Sequence, residues 1–217
     1  MILEGGNMIG KLIVIEGTDS SGKQTQASLL VDHLNKDGFK SAKRSFPDYD
    51  TPTGKIIKDC LLGDESYFPE GSNNIPPKVA ALYYAADRAY NIEKIKTLLN
   101  QGVNVVLDRY VESNMAYQAA KMDNTSDKIN TLLWMEQLEF NLLDLPKPDK
   151  VIFLYLPYEY RTDQDESNIH LKDAELVYSL MVERYGYEIV NCIKDDKIRS
   201  IEDIHNEIYT LISDFVK

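Results

Sequence analysis

Seven consecutive residues, Gly17-Thr18-Asp19-Ser20-Ser21-Gly22-Lys23, follow the pattern G-x-x-x-x-G-K. The glycines let the backbone curl until successive N–H groups face one anion, and the lysine reaches the outer phosphates of a bound polyphosphate. The flanking sequence supports that reading. Lys11-Leu-Ile-Val-Ile-Glu16 is a strand-like apolar run, and Ala27, Leu30, Val31 and Leu34 recur at i, i+3, i+4 and i+7 behind the loop. Strand, loop and helix thus stand in the order a phosphate cradle needs, with the partial positive charge of the helix N-terminus added to the site. One position departs from the pattern. The residue after the lysine is ordinarily Ser or Thr, whose hydroxyl ligates Mg²⁺. Here it is Gln24, and Thr25 lies about 100° further around the helix. A Gln24 carbonyl is also a hard oxygen ligand, so a metal role and a purely hydrogen-bonding role both stay open. Such a loop points to a nucleoside triphosphate and leaves kinase, GTPase and motor ATPase undecided.

Asp108 and Arg109 form a second candidate pair, because they end the apolar run that begins at Val103. Ligands of open α/β sheets bind beyond the carboxyl ends of strands. Asp108 is therefore placed to hold Mg²⁺ or its waters and Arg109 to grip an anionic acceptor, and a structural ion pair is the other reading. Tyr84 and Arg88 are one helical turn apart and can face one pocket, although a buried helix also uses aromatics for packing alone.

The elements that must carry these residues alternate between short apolar runs and longer helical periods, the pattern of an α/β fold. Ser41–Phe46, Val103–Asp108, Val151–Leu156 and a short Glu188–Cys192 join Lys11–Glu16 as strands. Lys78–Leu99 and Thr125–Leu143 are long enough for helices, and Ile201, Ile204, Ile208, Leu211, Ile212 and Phe215 describe a closing amphipathic one. Together they predict one domain over residues 1–217, a doubly wound parallel sheet of about five strands with helices on both faces. Pro157 to Asp173 breaks the pattern with carboxylates and no apolar period, and reads either as a solvated loop or as a short lid over the site.

Composition narrows the partners. The 217 residues are 43% hydrophobic and 27% charged, ordinary globular values. Basic residues number 24 and acidic ones 35, a net charge of −11 that argues against a partner held by a broad basic surface, such as nucleic acid or an anionic membrane. No apolar run approaches the ~20 residues of a membrane span, and the N-terminus lacks the charged and apolar regions of a secretion signal. Cys60 and Cys192 stand alone, without the spacing of a disulfide framework or a zinc site, so a cytoplasmic protein is expected. Met1 to Asn7 precede a second methionine, Met8, which is expected to be the natural start.

Four further segments settle the choice among phosphate-loop proteins. They are Phe46-Pro47-Asp-Tyr49 with Thr53-Gly54; Tyr84-Ala-Ala-Asp-Arg88; Asp108-Arg109-Tyr110-Val-Glu-Ser113-Asn114-Met-Ala-Tyr117-Gln118; and Leu145-Pro-Lys-Pro-Asp149 ahead of a strand. In this order and spacing they resemble thymidylate kinases, over nearly the whole chain from about Met8. The segment from Asp108 is the most specific part.

The resemblance implies a P-loop NTPase fold and transfer of the γ-phosphoryl group of MgATP to dTMP, giving dTDP and ADP. It further implies that Gly17 to Thr25 hold ATP, that Lys23, Asp108 and Arg109 serve the transfer, and that Asp19 contacts the deoxyribose 3′-hydroxyl. Tyr84 would stack on thymine, Arg88 and Asn114 would read the base, and Tyr117 would stand where a ribose 2′-hydroxyl would collide. Tyr49 would bond the monophosphate, and Phe46, Ser113 and Gln118 would complete the pocket. Since Thr18 to Ser21 contain no arginine, the resemblance puts a catalytic arginine in the lid, where Arg161 stands; a surface ion pair is the alternative. His33, His170 and His205 are not needed as bases, because an acceptor phosphate oxygen is already anionic. A homodimer through packed helices is implied as well. Gln24 and the thin lid keep two rivals in view: a monophosphate kinase of shifted base preference, and a nucleotide-binding protein with impaired chemistry.

Overall fold

The computed structural model describes residues 9–62, 68, 75–161 and 171–217. Met8, His170 and most of the expected lid lie outside them. Five strands, β1 (Leu12–Gly17), β2 (Ser41–Ser45), β3 (Asn104–Asp108), β4 (Lys150–Tyr155) and β5 (Glu188–Asn191), form a parallel sheet in the order β2-β3-β1-β4-β5. Side chains alternate across it. Leu12 and Val14 face one layer while Ile13 and Ile15 face the other, so the run is apolar on both faces, as a covered parallel strand requires.

The layer over Ile13 and Ile15 is built from Ala27, Leu30 and Leu34 of α1 (Lys23–Lys36) and Ile204, Ile208 and Ile212 of α7 (Ile201–Ser213). The opposite layer holds α3 (Pro77–Asn100), α4 (Val111–Ala120), α5 (Thr125–Glu136) and α6 (Leu171–Tyr185), which bury Ile92, Met115, Leu132 and Val177 against Val14 and Leu107. A short α2 (Pro52–Leu61) packs on α3, started by the Thr51 side chain, which accepts from Gly54 N at 3.3 Å.

Two boundaries and two further elements differ from expectation. The helix expected over 125–143 gives way after Glu136 to a π-helical turn, Gln137–Leu142, whose wider coil turns Glu139 fully inward. Leu171 to Asp173 are the first turn of α6 and not loop, because Leu171, Ala174, Tyr178 and Met181 make one buried face. Helix α4 escaped the periodicity reading since it is buried nearly all round, leaving no polar face to alternate with. The residues after β5 form a small antiparallel pair, β6 (Ile193–Lys194) and β7 (Lys197–Ile198), also unforeseen. Among the described residues no helix is long and apolar enough to cross a membrane.

Helix α7 docks on α1 partly through polar rings. His33 Nδ1 and His205 Nε2 lie 3.0 Å apart, one ring N–H donating to the other ring's nitrogen, and the His33 ring stacks on Tyr209 at 3.6 Å between centroids. Burial, then the neighbouring His33, lowers the His205 pKa below its ordinary 6.5. The unfolded chain therefore binds the proton more readily, so this contribution to stability is complete above pH 6.5 and is lost as pH falls below it. The urea midpoint should drop between pH 7.5 and 5.5, and should drop less in His205→Ala.

Candidate active site

The phosphate loop is held to the sheet before it meets any ligand. A Cβ at Gly17 would lie 2.4 Å from the Leu154 carbonyl oxygen, so β1 can end against β4 only as glycine. Gly22, the N-cap of α1, adopts φ 84°, a left-handed conformation that glycine takes without strain. Thr18 Oγ1 donates to Leu156 O (2.8 Å) and accepts from Leu156 N (3.0 Å), which ties the loop to the end of β4. Lys23 is buried, and its Nζ donates to Thr18 O at 2.7 Å, across the loop. Burial first, and then repulsion from Arg109, lowers its pKa to about 8. The Ser21 hydroxyl is buried with no partner among the described residues, whereas the Gln24 and Thr25 side chains face solvent. Gln24 contributes a backbone carbonyl that accepts from Lys43 Nζ and Ser28 Oγ, each at 3.0 Å.

One residue before Gly17, Glu16 is fully buried and fastens the acceptor side to the loop. Its Oε1 accepts from Tyr110 N and Ser113 N, both at 3.1 Å, and its carboxylate also accepts from Ser113 Oγ (2.9 Å) and Tyr178 OH (3.0 Å). An acid thereby meets the positive end of α4 from a neighbouring strand. Arg109, between β3 and α4, adopts φ 66°, strained for a residue with a side chain. That turn aims its guanidinium at Asp19 Oδ1 (2.8 Å) and Ser113 Oγ (3.2 Å), while Tyr117 OH donates to Asp19 Oδ2 at 2.5 Å. Burial alone would raise the Asp19 pKa, but Arg109, the Tyr117 hydroxyl and Lys23 outweigh it and hold the carboxyl below its ordinary value. Asp19 is thus an ionised, acceptor-only group.

These residues border a cavity of about 350 Å³, within the range of small-ligand pockets. Asp19, Phe46, Tyr49, Tyr84, Arg88, Arg109, Ser113, Asn114, Tyr117 and Gln118 all line it, so every residue expected at the acceptor site is brought together. At its far end Arg88 forms a buried ion pair with Glu139, through Nε to Oε2 and through Nη2 to Oε1 at 2.6 Å. Asn114 Nδ2 donates to Glu139 Oε1 (3.1 Å) and Ala81 O (3.2 Å). Burial pushes the Tyr84 phenol up to about 12, so its ring is a neutral wall. Asp87, also buried, accepts from Asp48 N (3.0 Å), Thr53 Oγ1 (2.7 Å) and Asn91 Nδ2 (3.0 Å), which fixes the loop carrying Phe46 and Tyr49.

The structure does not bring Arg161 to this cavity. It was expected to be a mobile cation, yet it is 5% exposed, its Nε donating to Leu156 O (3.0 Å) and its Nη2 to Glu175 Oε2 (2.5 Å). The early start of α6 at Leu171 is what brings Glu175 to it.

A family model for thymidylate kinase matches residues 15–208. The chain belongs to the thymidylate kinase family. It is 33% identical to the thymidylate kinase of Schizosaccharomyces pombe, covering 94% of this chain and 92% of that one. It is also 35% identical to a probable thymidylate kinase of Thermococcus onnurineus, covering 92% and 96%. The solved thymidylate kinase of Candida albicans, described as having broad substrate specificity, superposes with a TM-score of 0.74 at 28% identity, covering 95% and 92%. The five-stranded sheet and phosphate loop are accordingly those of the P-loop NTPase fold.

Three buried carboxylates organise this thymidylate kinase site without having been anticipated. Glu16 and Asp87 were in view, one ending an apolar run just before the phosphate loop and the other beside Arg88. Glu139 gave no signal, because only the π-helical turn aims it at Arg88. The lowered Lys23 pKa has a kinetic consequence. Deprotonation removes the charge that meets the donor phosphates, so kcat/KM for ATP should fall as pH rises through about 8. A profile that stays flat well above that pH would contradict it.

Proposed function

We propose that this phosphotransferase moves the γ-phosphoryl group of ATP to dTMP, giving dTDP and ADP by direct in-line transfer. The observation that carries the reading is the Arg109–Asp19–Tyr117 cluster, which joins the phosphate loop to a cavity of nucleotide size within about one side chain's length. The helix N-terminus and Lys23 receive the donor phosphates. Arg109 leaves Asp19 to bind the acceptor phosphate, and Asp19 accepts from the sugar 3′-hydroxyl. Tyr84 stacks on the base, Arg88 and Asn114 meet its polar edge, Tyr49 and Ser113 border the phosphate, and Tyr117 closes the space a 2′-hydroxyl would occupy. Positioning and charge supply the acceleration, since the attacking oxygen is already anionic.

Mg²⁺ fits the donors present. Asp108, half-buried at the end of β3 level with Ile15 of β1, offers a hard carboxylate oxygen beside the loop. A single carboxylate is enough for a cation held chiefly by phosphate oxygens and water. When bound, Mg²⁺ would neutralise charge on the donor phosphates; Gln24, turned to solvent, is left outside that set. A cytoplasmic setting is supported by Cys60 and Cys192, which are both free thiols, as a reducing compartment keeps them. A homodimer is supported by Val79, Leu82 and Tyr90, which leave an apolar stripe exposed along α3, with Ile56 exposed on the adjoining α2. Sedimentation velocity of the purified chain at monomer mass would refute the dimer.

The decisive experiment is a coupled assay with ATP, Mg²⁺ and dTMP, dUMP, dCMP, dGMP and ribothymidine monophosphate. Turnover should be highest with dTMP; a higher kcat/KM for another monophosphate would assign a different acceptor, and binding without turnover would remove the chemistry. Arg161 can add its charge to the transferring group only by leaving Glu175. Arg161→Ala should therefore lower kcat by about 10² with dTMP affinity little changed, as loss of a charge donor acting in the transition state does. A near-normal kcat would leave Arg161 as the tie between β4 and α6.

A further inference from the structure

Asn114 and Arg88 line the far end of the acceptor cavity, and what each presents there is decided by a residue that does not line it. Glu139 is fully buried on the π-helical turn, and as a carboxylate it can only accept. Both Nδ2 hydrogens of Asn114 are committed, one to Glu139 Oε1 at 3.1 Å and one to Ala81 O at 3.2 Å. Were the amide turned over, its oxygen would face those two acceptors with no donor between them, so the orientation is forced. Oδ1 is consequently directed elsewhere, and it is buried with no hydrogen-bond partner among the described residues. A buried orphan acceptor at a cavity wall implies a ligand group, or a water, that donates to it.

Arg88 is constrained by the same carboxylate. Its Nε and one Nη2 hydrogen go to Glu139, and Nη1 reaches Tyr110 O only at 3.5 Å. The remaining N–H groups are donors. Both residues line the cavity, so a ligand group that reaches them meets the spare N–H donors of Arg88 and the spare acceptor of Asn114. A pyrimidine imide edge, with a 4-oxo group beside N3–H, answers that order. The 4-amino edge with an unprotonated N3 inverts both contacts, setting donor against donor and acceptor against acceptor, and leaves buried groups unpaired.

We propose that Glu139 is a positioning residue that sets base specificity, fixing the Asn114 amide and the Arg88 guanidinium so that the pocket admits a 4-oxo-3-NH pyrimidine and rejects a 4-amino one. The inference rests on the reading of this cavity as the nucleoside monophosphate site and adds to it the group that decides which base edge is complementary. Glu139 touches no substrate atom and takes no part in phosphoryl transfer.

The test compares dTMP with 5-methyl-dCMP, which keeps the methyl group and sugar and changes only the 4-position and N3. In Glu139→Gln the side chain can donate as well as accept, so the Asn114 amide is free to turn. The ratio of kcat/KM for dTMP to that for 5-methyl-dCMP should fall about tenfold or more, whereas a merely structural role would lower both values together. If Glu139→Gln yields no folded protein because Arg88 has lost its counter-ion, Glu139→Asp is read the same way: it keeps the charge but withdraws it from Asn114, and the ratio should still fall. A ratio within about twofold of the parent in either folded variant overturns the proposal. Absence of dTMP turnover in the parent protein would instead refute the acceptor assignment on which it rests.

Discussion

Glu16 closes an apolar strand with a carboxylate that has no contact with solvent, and donors from the start of α4 and from Tyr178 of α6 converge on it. Leaving a buried charge without its partners costs on the order of 3–5 kcal/mol. The strand that ends in the phosphate loop and the turn that carries Arg109 are therefore not free to separate. Ser113 extends the coupling, since its hydroxyl donates to Glu16 and accepts from Arg109 Nη1. Donor and acceptor halves of the site thereby share one buried anchor, and the strained φ of Arg109 is sustained by it.

The same economy of charge recurs at the other end of the cavity. Arg88 is buried and would be costly alone, and Glu139 neutralises it while also holding the Asn114 amide. A buried ion pair contributes little net stability compared with apolar packing. What it supplies here is direction: planar groups whose every near-side hydrogen bond is committed present a fixed pattern to the ligand side. Asp87 does for the loop after β2 what Glu139 does for the base end, gathering Asp48 N, Thr53 and Asn91 so that Phe46 and Tyr49 are carried to the cavity wall.

Much of the molecule is legible in one dimension. The phosphate loop between a strand and an amphipathic helix, three apolar runs, and the spaced segments around Tyr84, Asp108 and Leu145 are local patterns that need no knowledge of distant contacts. The ten residues expected at the acceptor site all border one cavity: Asp19, Phe46 and Arg109 lie just beyond strands, Ser113 to Gln118 follow along α4, and Tyr84 and Arg88 share a face well inside α3. The surroundings of Arg161 were not legible in the same way, because they depend on where α6 begins, and Leu171 to Asp173 look like loop until Leu171 is seen to pack inward.

Sequence by itself determined the alternation of elements, the site of the phosphate loop and the identity of the groups that could contact a nucleotide, because periodicity and short motifs are properties of neighbouring residues. Tertiary structure alone decided which carboxylate faces which cation. Glu16 to α4, Arg88 to Glu139 and Arg161 to Glu175 pair residues up to 97 positions apart or on a π-helical turn with no sequence mark. Such pairing is set by burial: in water any of these acids could serve any of these bases at little cost, and only the low dielectric of the folded interior makes one arrangement strongly preferred over the rest.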